Sequence, residues 1–508
     1  MAAVGVAAPL SAAEVSGDHL RVTTTHLDLT FALDGANPVA WSACHPSCVP
    51  DTARRSTVVR FTGEQDGPQA RLQLRGEGLS HIDPARLRFT AAVAEDAELT
   101  TVTFEAPLTD SGARLVKAYG ISKKGYDVSL MVEVRGRDAS LPGTGRQLEL
   151  ALDAGRGLAP LPAPGFAAML ERVHRVLVWP AGVRVLGDEP PRPALLGTRE
   201  WVGVRNRFWA LLVHADDHGS VTPRPGESLT VRLDSAQALW RLRFYSGPVE
   251  PRALAATDPE LGRLFLSGLW TWLRGLSLGL LYLLRALTAI IGNAGLAIVA
   301  LAGAVKLLLL PLALLAGQLQ AQVQATQARL QPDLDAINAA YRGEERTRRT
   351  VALYRQAGVS PLYPLRSLVG FLIQIPVFIA AFDMLAENFD LQGVPFLWIR
   401  DLSRPDALAR LPACVPFFGC DLNLLPFLMS GISIGALLRH HAPLLTPALV
   451  RRQRRNLTAM SVAFFFLFYT FPAGMVLYWT STNFVQLASQ EIGGLWRGRG
   501  TGKQALRT

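Results

Sequence analysis

The chain has 508 residues, 49% hydrophobic and 18% charged, with a mean hydropathy of +0.22, a profile that suits a partly membrane-embedded protein of two to four domains. Its net charge of +10 is uneven: residues 261–508 carry 23 Lys and Arg against 11 Asp and Glu, while residues 1–260 carry 28 against 30. The basic excess lies in the apolar half, which points to anionic lipid headgroups and the positive-inside rule and excludes nucleic-acid binding by the soluble half; four cysteines are too few for a disulfide scaffold.

Residues 1–18 form a weakly apolar segment with no basic residue ahead of it. It is a poor export signal and too short for a span, so an upstream segment or a misassigned start is expected. From residue 19 to about 250 the pattern alternates with period two. "HLDLTF", "LTTVTFE", "YDVSLMVEVR" and "WVGVRNRFWALLVHA" carry it, and Pro, Gly, Asp and Asn clusters separate the runs. This density of short alternating runs predicts a large antiparallel β-sandwich.

Residues 251–292 read as a linker followed by an apolar helix from Leu264 to Ile291. Trp270 and Trp272 stand near its start, and Arg274 and Arg285 share one face. Such a helix suits the membrane interface, with an ordinary span as the alternative. Gly292 and Asn293 break the chain. Residues 293–492 then offer five candidate spans, about 295–316, 366–386, 424–440, 458–472 and 474–490, with a helical hairpin over 317–365. The expected fold class is therefore an α+β membrane protein, a β-sandwich followed by a five-span helical core. "FPAG" at 471–474 separates the last two spans, although one kinked helix is an alternative there. Loop charges favour two spans. Residues 317–366 hold seven arginines and 441–457 include "RRQRR", whereas 387–423 hold three arginines and five acids. This puts the hairpin and the basic tail, residues 493–508, inside, and the β domain outside.

The stretch "LAIVALAGAVKLLLLPLALLA" has Lys306 at its midpoint. A lysine at the centre of a span costs roughly 2.5–3.5 kcal/mol on insertion. Twelve Leu, Ile and Val residues can offset that, yet the charge needs wet or paired company. Asp383 falls near the outer face, roughly 10 Å away in depth, and Glu387 lies farther out. Gln374 is expected at the depth of Lys306. Tyr478, Thr482 and Gln486 recur at four-residue spacing, flanked by Ser481 and Asn483, with Ser430 and Ser433 on another span. Ala302 and Gly303, one turn before Lys306, leave room. Together these suggest a groove with one uncompensated cation; the alternative is packing between helices, with Lys306 snorkelling inward.

Several segments resemble, in order, the YidC-type membrane protein insertases of the Oxa superfamily, in the Gram-negative form with a large periplasmic domain. They are "WVGVRNRFWALLV", "IGNAGLAIVALAGAVKLLLLPL", "GVSPL", "LIQIPVFIAAFDML", "PFLWIRDLS" and "FPAGMVLYWTSTNFVQLASQ". They carry Gly292, Asn293, Pro311, Pro361, Pro376, Trp398, Pro472 and Gly474. The resemblance implies a periplasmic super-sandwich, an interfacial helix at 264–291 and a cytoplasmic hairpin that recruits substrates. It implies a groove around Lys306, Ala302, Gly303, Gln374, Tyr478, Ser481, Thr482 and Asn483 that inserts nascent membrane proteins into the bacterial inner membrane. The Sec translocon and ribosome are candidate partners, a monomer is expected, and no cofactor, metal or enzymatic activity is. Two departures stand out: the family's groove arginine is Lys306 here, and a polar residue one turn earlier is Ala302. Cys44/Cys48 and Cys414/Cys420 form two local pairs that would be extracytoplasmic, so local disulfides and free thiols both remain open.

A transporter or channel would also explain an intramembrane lysine, but no inverted repeat or second membrane charge accompanies it. A membrane-anchored carbohydrate-binding protein would explain the β domain. Its acids and His26, His45, His81, His174, His214 and His218 show no spacing that singles out a catalytic pair, and His440-His441 reads as polar surface.

Overall fold

A computed structural model describes residues 11–49, 56–62, 71–75, 84–108, 113–136, 146–152, 158, 164–187, 193–224, 228–235, 237–360, 369–439 and 447–504. Pro361, His81, His440 and His441 lie outside the described residues. The chain divides into two compact units, Met1–Pro162 with Ala168–Gly268, and Ala163–Ala167 with Leu269–Thr508.

The first unit is β-rich, and among the described residues its strand pairings are antiparallel, as the alternation predicts. Its largest sheet runs Gly182–Val185, His174–Trp179, Trp201–Arg205, Trp209–Ala215, Leu239–Pro248, Asp127–Arg135, Arg114–Ser122, Leu99–Pro107 and Thr90–Glu95 in spatial order. Leu99–Pro107 shows why: Thr100, Val102, Phe104 and Ala106 are buried and their neighbours are not. Trp209–Ala215 is buried at every position because both of its faces are covered. A second sheet is built on Ser228–Ser235, which packs against Trp201–Arg205 and Leu239–Pro248. A third runs in chain order from Ser11–Ser16 to Thr57–Thr62. Trp41, in that third sheet, donates from Nε1 to Ser246 Oγ at 3.0 Å, so its bulk fills the core while its one polar atom is satisfied. Helix α1 (Pro251–Thr257) closes this unit, capped by Glu250, whose carboxylate accepts from Ala253 N at 2.8 Å.

The second unit is helical. Its helices are α2 (Thr271–Ile291), α3 (Ala294–Leu308), α4 (Leu310–Ala340), α5 (Gly343–Gln356), α6 (Val369–Ala386), α7 (Leu425–Arg439), α8 (Pro447–Phe468) and α9 (Ala473–Gln504). Among the described residues α2 alone is long and apolar enough to cross a membrane by itself. The pair α3 and α4 passes only together, bent by 58°, and the apolar helices Gln374–Ala386 and Leu425–Arg439 are shorter.

Several boundaries differ from the sequence-based expectation. The apolar helix expected from Leu264 begins at Thr271, after a short 3-10 turn at Leu261–Leu264. The continuous span expected over 295–316 is broken at Leu309, because Pro311 has no N–H to continue the ladder and sits in the first turn of α4 instead. "RRQRR" belongs to helix α8 rather than to a loop; arginine is a good helix former, so a basic run need not interrupt a helix. The alternative of one kinked C-terminal helix is replaced by two helices, α8 and α9, parted at 469–472. Trp479 of α9 packs on Phe464 and Phe468 of α8, with ring centroids 5.6 and 5.7 Å apart, so the chain folds back on itself.

The structure resolves the question of the cysteines. Cys44–Cys48 and Cys414–Cys420 are both disulfides.

Candidate functional site

The site is framed by four helices whose ends are set locally. Gly292 adopts φ +74, the left-handed conformation that ends α2 without a Cβ penalty. Asn293 caps α3, its side chain accepting from Leu296 N at 3.0 Å. Gly295 lets α3 press against Phe396; a Cβ there would lie 2.1 Å from that ring. Pro376 lies inside α6. Pro472 precedes α9, and Gly474 N donates to Leu402 O at 2.8 Å, a contact that leaves little room for a larger residue.

The loop between α6 and α7 supplies a polar clamp. Trp398 Nε1 donates to Oδ2 of the buried Asp406 at 3.0 Å, and the same oxygen accepts from Leu424 N at 2.7 Å and Leu425 N at 3.0 Å. Asp406 is therefore the anion at the N-terminus of α7, and Trp398 orients it. Arg285 of α2 pairs with Asp390 of the same loop at 2.7 Å.

Lys306 lies in the last turn of α3 rather than at the middle of a straight helix. It stands twelve residues past Ala294, about 18 Å along the axis. A cation is favoured at this end by the helix dipole. Its Nζ donates to Gln486 Oε1 of α9 at 3.0 Å. Among the described residues this hydrogen bond to Gln486 is accompanied by no ion pair between Lys306 and a carboxylate.

Two cavities meet at this lysine. A narrow one of about 20 Å³, room for roughly one water, is lined by Ala302, Lys306, Gln374, Tyr478, Trp479 and Thr482, with apolar neighbours. A wider one of about 380 Å³ is lined by Gly303, Lys306, Gln374, Gln486 and Ser489 and by leucines of α3 and α4. Leu307, Leu310, Leu312 and Leu314 of this lining are exposed, so the wider cavity opens onto a leucine-rich surface.

The structure thus brings Ala302, Gly303, Gln374, Tyr478 and Thr482 together with Lys306. Ala302 is fully buried and lines the narrow cavity, whereas Gly303 has open space where a Cβ would stand and lines the wider one. Ser481 is buried away from both linings. Asn483 donates to Ser433 Oγ at 2.9 Å and lines a third cavity, between α7, α8 and α9. Gln486 is expected in the groove from its four-residue spacing with Tyr478 and Thr482, but not singled out as the lysine's partner. Trp479 is not expected there, since an aromatic next to a polar stripe reads as packing. Among the described residues no group of three or more His, Cys, Asp or Glu is placed to hold a metal.

Residues 286–493, which contain every one of these groove residues, match the family model described as the 60Kd inner membrane protein. Through these residues the chain is similar to that family. It is 28% identical over 319 residues to the membrane protein insertase YidC of Leptospira interrogans serogroup Icterohaemorrhagiae serovar copenhageni, covering 60% of this chain and 47% of that one. It is 28% identical over 399 residues to the membrane protein insertase YidC of Ralstonia nicotianae, covering 75% and 66%. The chain therefore spans about half to two thirds of the length of these curated relatives. A solved structure described as an active YidC insertase with its first transmembrane domain resolved aligns over 94% of this chain and 93% of that one, at 18% identity and a TM-score of 0.36.

Proposed function

We propose that this chain is a membrane protein insertase that draws a polar segment of a nascent client into a groove around Lys306 and releases the client's apolar segment to lipid. The observation that carries this reading is a half-buried cation held by a neutral amide, with no carboxylate partner among the described residues, at the mouth of a leucine-lined cavity. An ammonium in such surroundings binds a passing carboxylate more strongly than it binds an amide. The leucines beside it give an apolar segment a surface that continues into the bilayer. The family match and the names of the relatives support the same class of activity.

In this reading the core has five spans, with α3 and the first turns of α4 forming one broken span. The β domain is periplasmic, α2 lies at the interface, and the α4–α5 hairpin and basic tail are cytoplasmic. The charge distribution of the loops supports this orientation. Nascent membrane proteins are the substrates, the ribosome and Sec translocon the assisting partners, and anionic inner-membrane lipids the surroundings; the protein acts as a monomer without a cofactor.

The test is photocrosslinking from Gly303 and Gln374, which both line the wider cavity. Capture of nascent membrane-protein segments is expected. Protection of both positions by a small solute, with no nascent chain captured, would make the protein a transporter instead.

A further inference from the structure

Helix α9 is a partition between two cavities of similar size. One is the wider lysine cavity of about 380 Å³. The other, about 320 Å³, lies between α7, α8 and α9, with Ser433, Ser461 and Asn483 set among apolar side chains. Among the described residues Gln486 is the one side chain common to both linings, and it is also the residue that holds Lys306.

We propose that Gln486 is the positioning residue of the groove cation, keeping the Lys306 ammonium against the α9 partition and yielding it to a client carboxylate. The proposal rests on the insertase reading. A neutral amide oxygen suits this role. It fixes the ammonium by a 3.0 Å hydrogen bond but leaves the charge uncancelled. A carboxylate adds the attraction of opposite charges to the hydrogen bond and displaces the amide. A glutamate at 486 would cancel the charge permanently, and an aliphatic residue would leave the lysine free to turn toward the inner interface.

The experiment measures insertion of a single-span client with an acidic translocated tail by full-length protein in cells depleted of their own insertase. Gln486→Glu should slow insertion at least tenfold. Lys306→Gln should do the same, and adding Gln486→Lys to it should restore at least half of the rate, because the cation returns to the same contact from the opposite helix. Gln486→Glu inserting at the unaltered rate, or a transposed pair no better than Lys306→Gln, overturns the positioning role. If Gln486→Glu fails to accumulate, the transposed pair decides. Lys306→Gln inserting at the unaltered rate would instead bring down the insertase reading of the cation itself.

Discussion

Lys306 and Gln486 stand 180 residues apart in the chain, and the lysine Nζ lies 3.0 Å from the glutamine Oε1. The contact joins α3 to α9, which pack directly on each other. A charge placed at this junction is held without being neutralised.

The approach of α3 to the α6–α7 loop depends on a missing side chain. Gly295→Ala would place a methyl 2.1 Å from Phe396, so the helix or the ring must move. A cost of about 1–3 kcal/mol is expected. It should appear as a lowered midpoint of thermal unfolding in detergent, with insertion reduced because α3 carries Lys306. An unchanged midpoint would show that this packing is loose.

Removing the Asp406 carboxylate takes away the one oxygen that accepts from three donors, Trp398 Nε1, Leu424 N and Leu425 N. Asp406→Ala should destabilise the helical unit by about 2–3 kcal/mol, since it strands the buried Leu425 N–H and two half-buried donors and the helix loses its N-terminal anion. Trp398→Phe removes only one donor and should cost less. Equal effects of the two changes would contradict the assignment of Asp406 as the hub.

Much of this was legible in the sequence, and the limits have physical causes. The alternation in "LTTVTFEAP" is a direct readout of one buried face, so the β unit follows from it. Tyr478, Thr482 and Gln486 share a helical face by spacing alone. The break at Leu309 was signalled by Pro311, but a window of Leu and Ala reads equally apolar whether straight or bent. The Asp406 clamp depends on a loop folding back across residues 398–425, and the choice of Gln486 as the lysine's partner depends on how α3 packs on α9. Neither contact leaves a periodic trace.

A second lysine tests the β unit independently. Lys117 is buried, donating to Gly35 O at 2.6 Å and Asn37 Oδ1 at 3.0 Å, and burial pushes its ammonium down to about 7. Below pH 7 folded and unfolded chains both carry the proton, so the burial cost is fully present. Between pH 7 and the ordinary lysine value of 10.5 the unfolded chain binds a proton that the folded one does not, so stability rises with pH. The slope approaches ~1.4 kcal/mol per pH unit. Denaturant unfolding at pH 7 and 9.5 should show the unaltered protein gaining on Lys117→Met as pH rises; parallel pH curves would contradict it.

The central claim is that the groove needs a positive charge at residue 306. The most direct measurement is growth and client insertion in an insertase-depletion strain carrying Lys306→Arg, Lys306→Gln or Lys306→Glu. Arginine should support growth, glutamine should slow insertion, and glutamate, which reverses the charge and repels an acidic client tail, should abolish it. Unaltered growth and insertion with glutamate at this position would contradict the account.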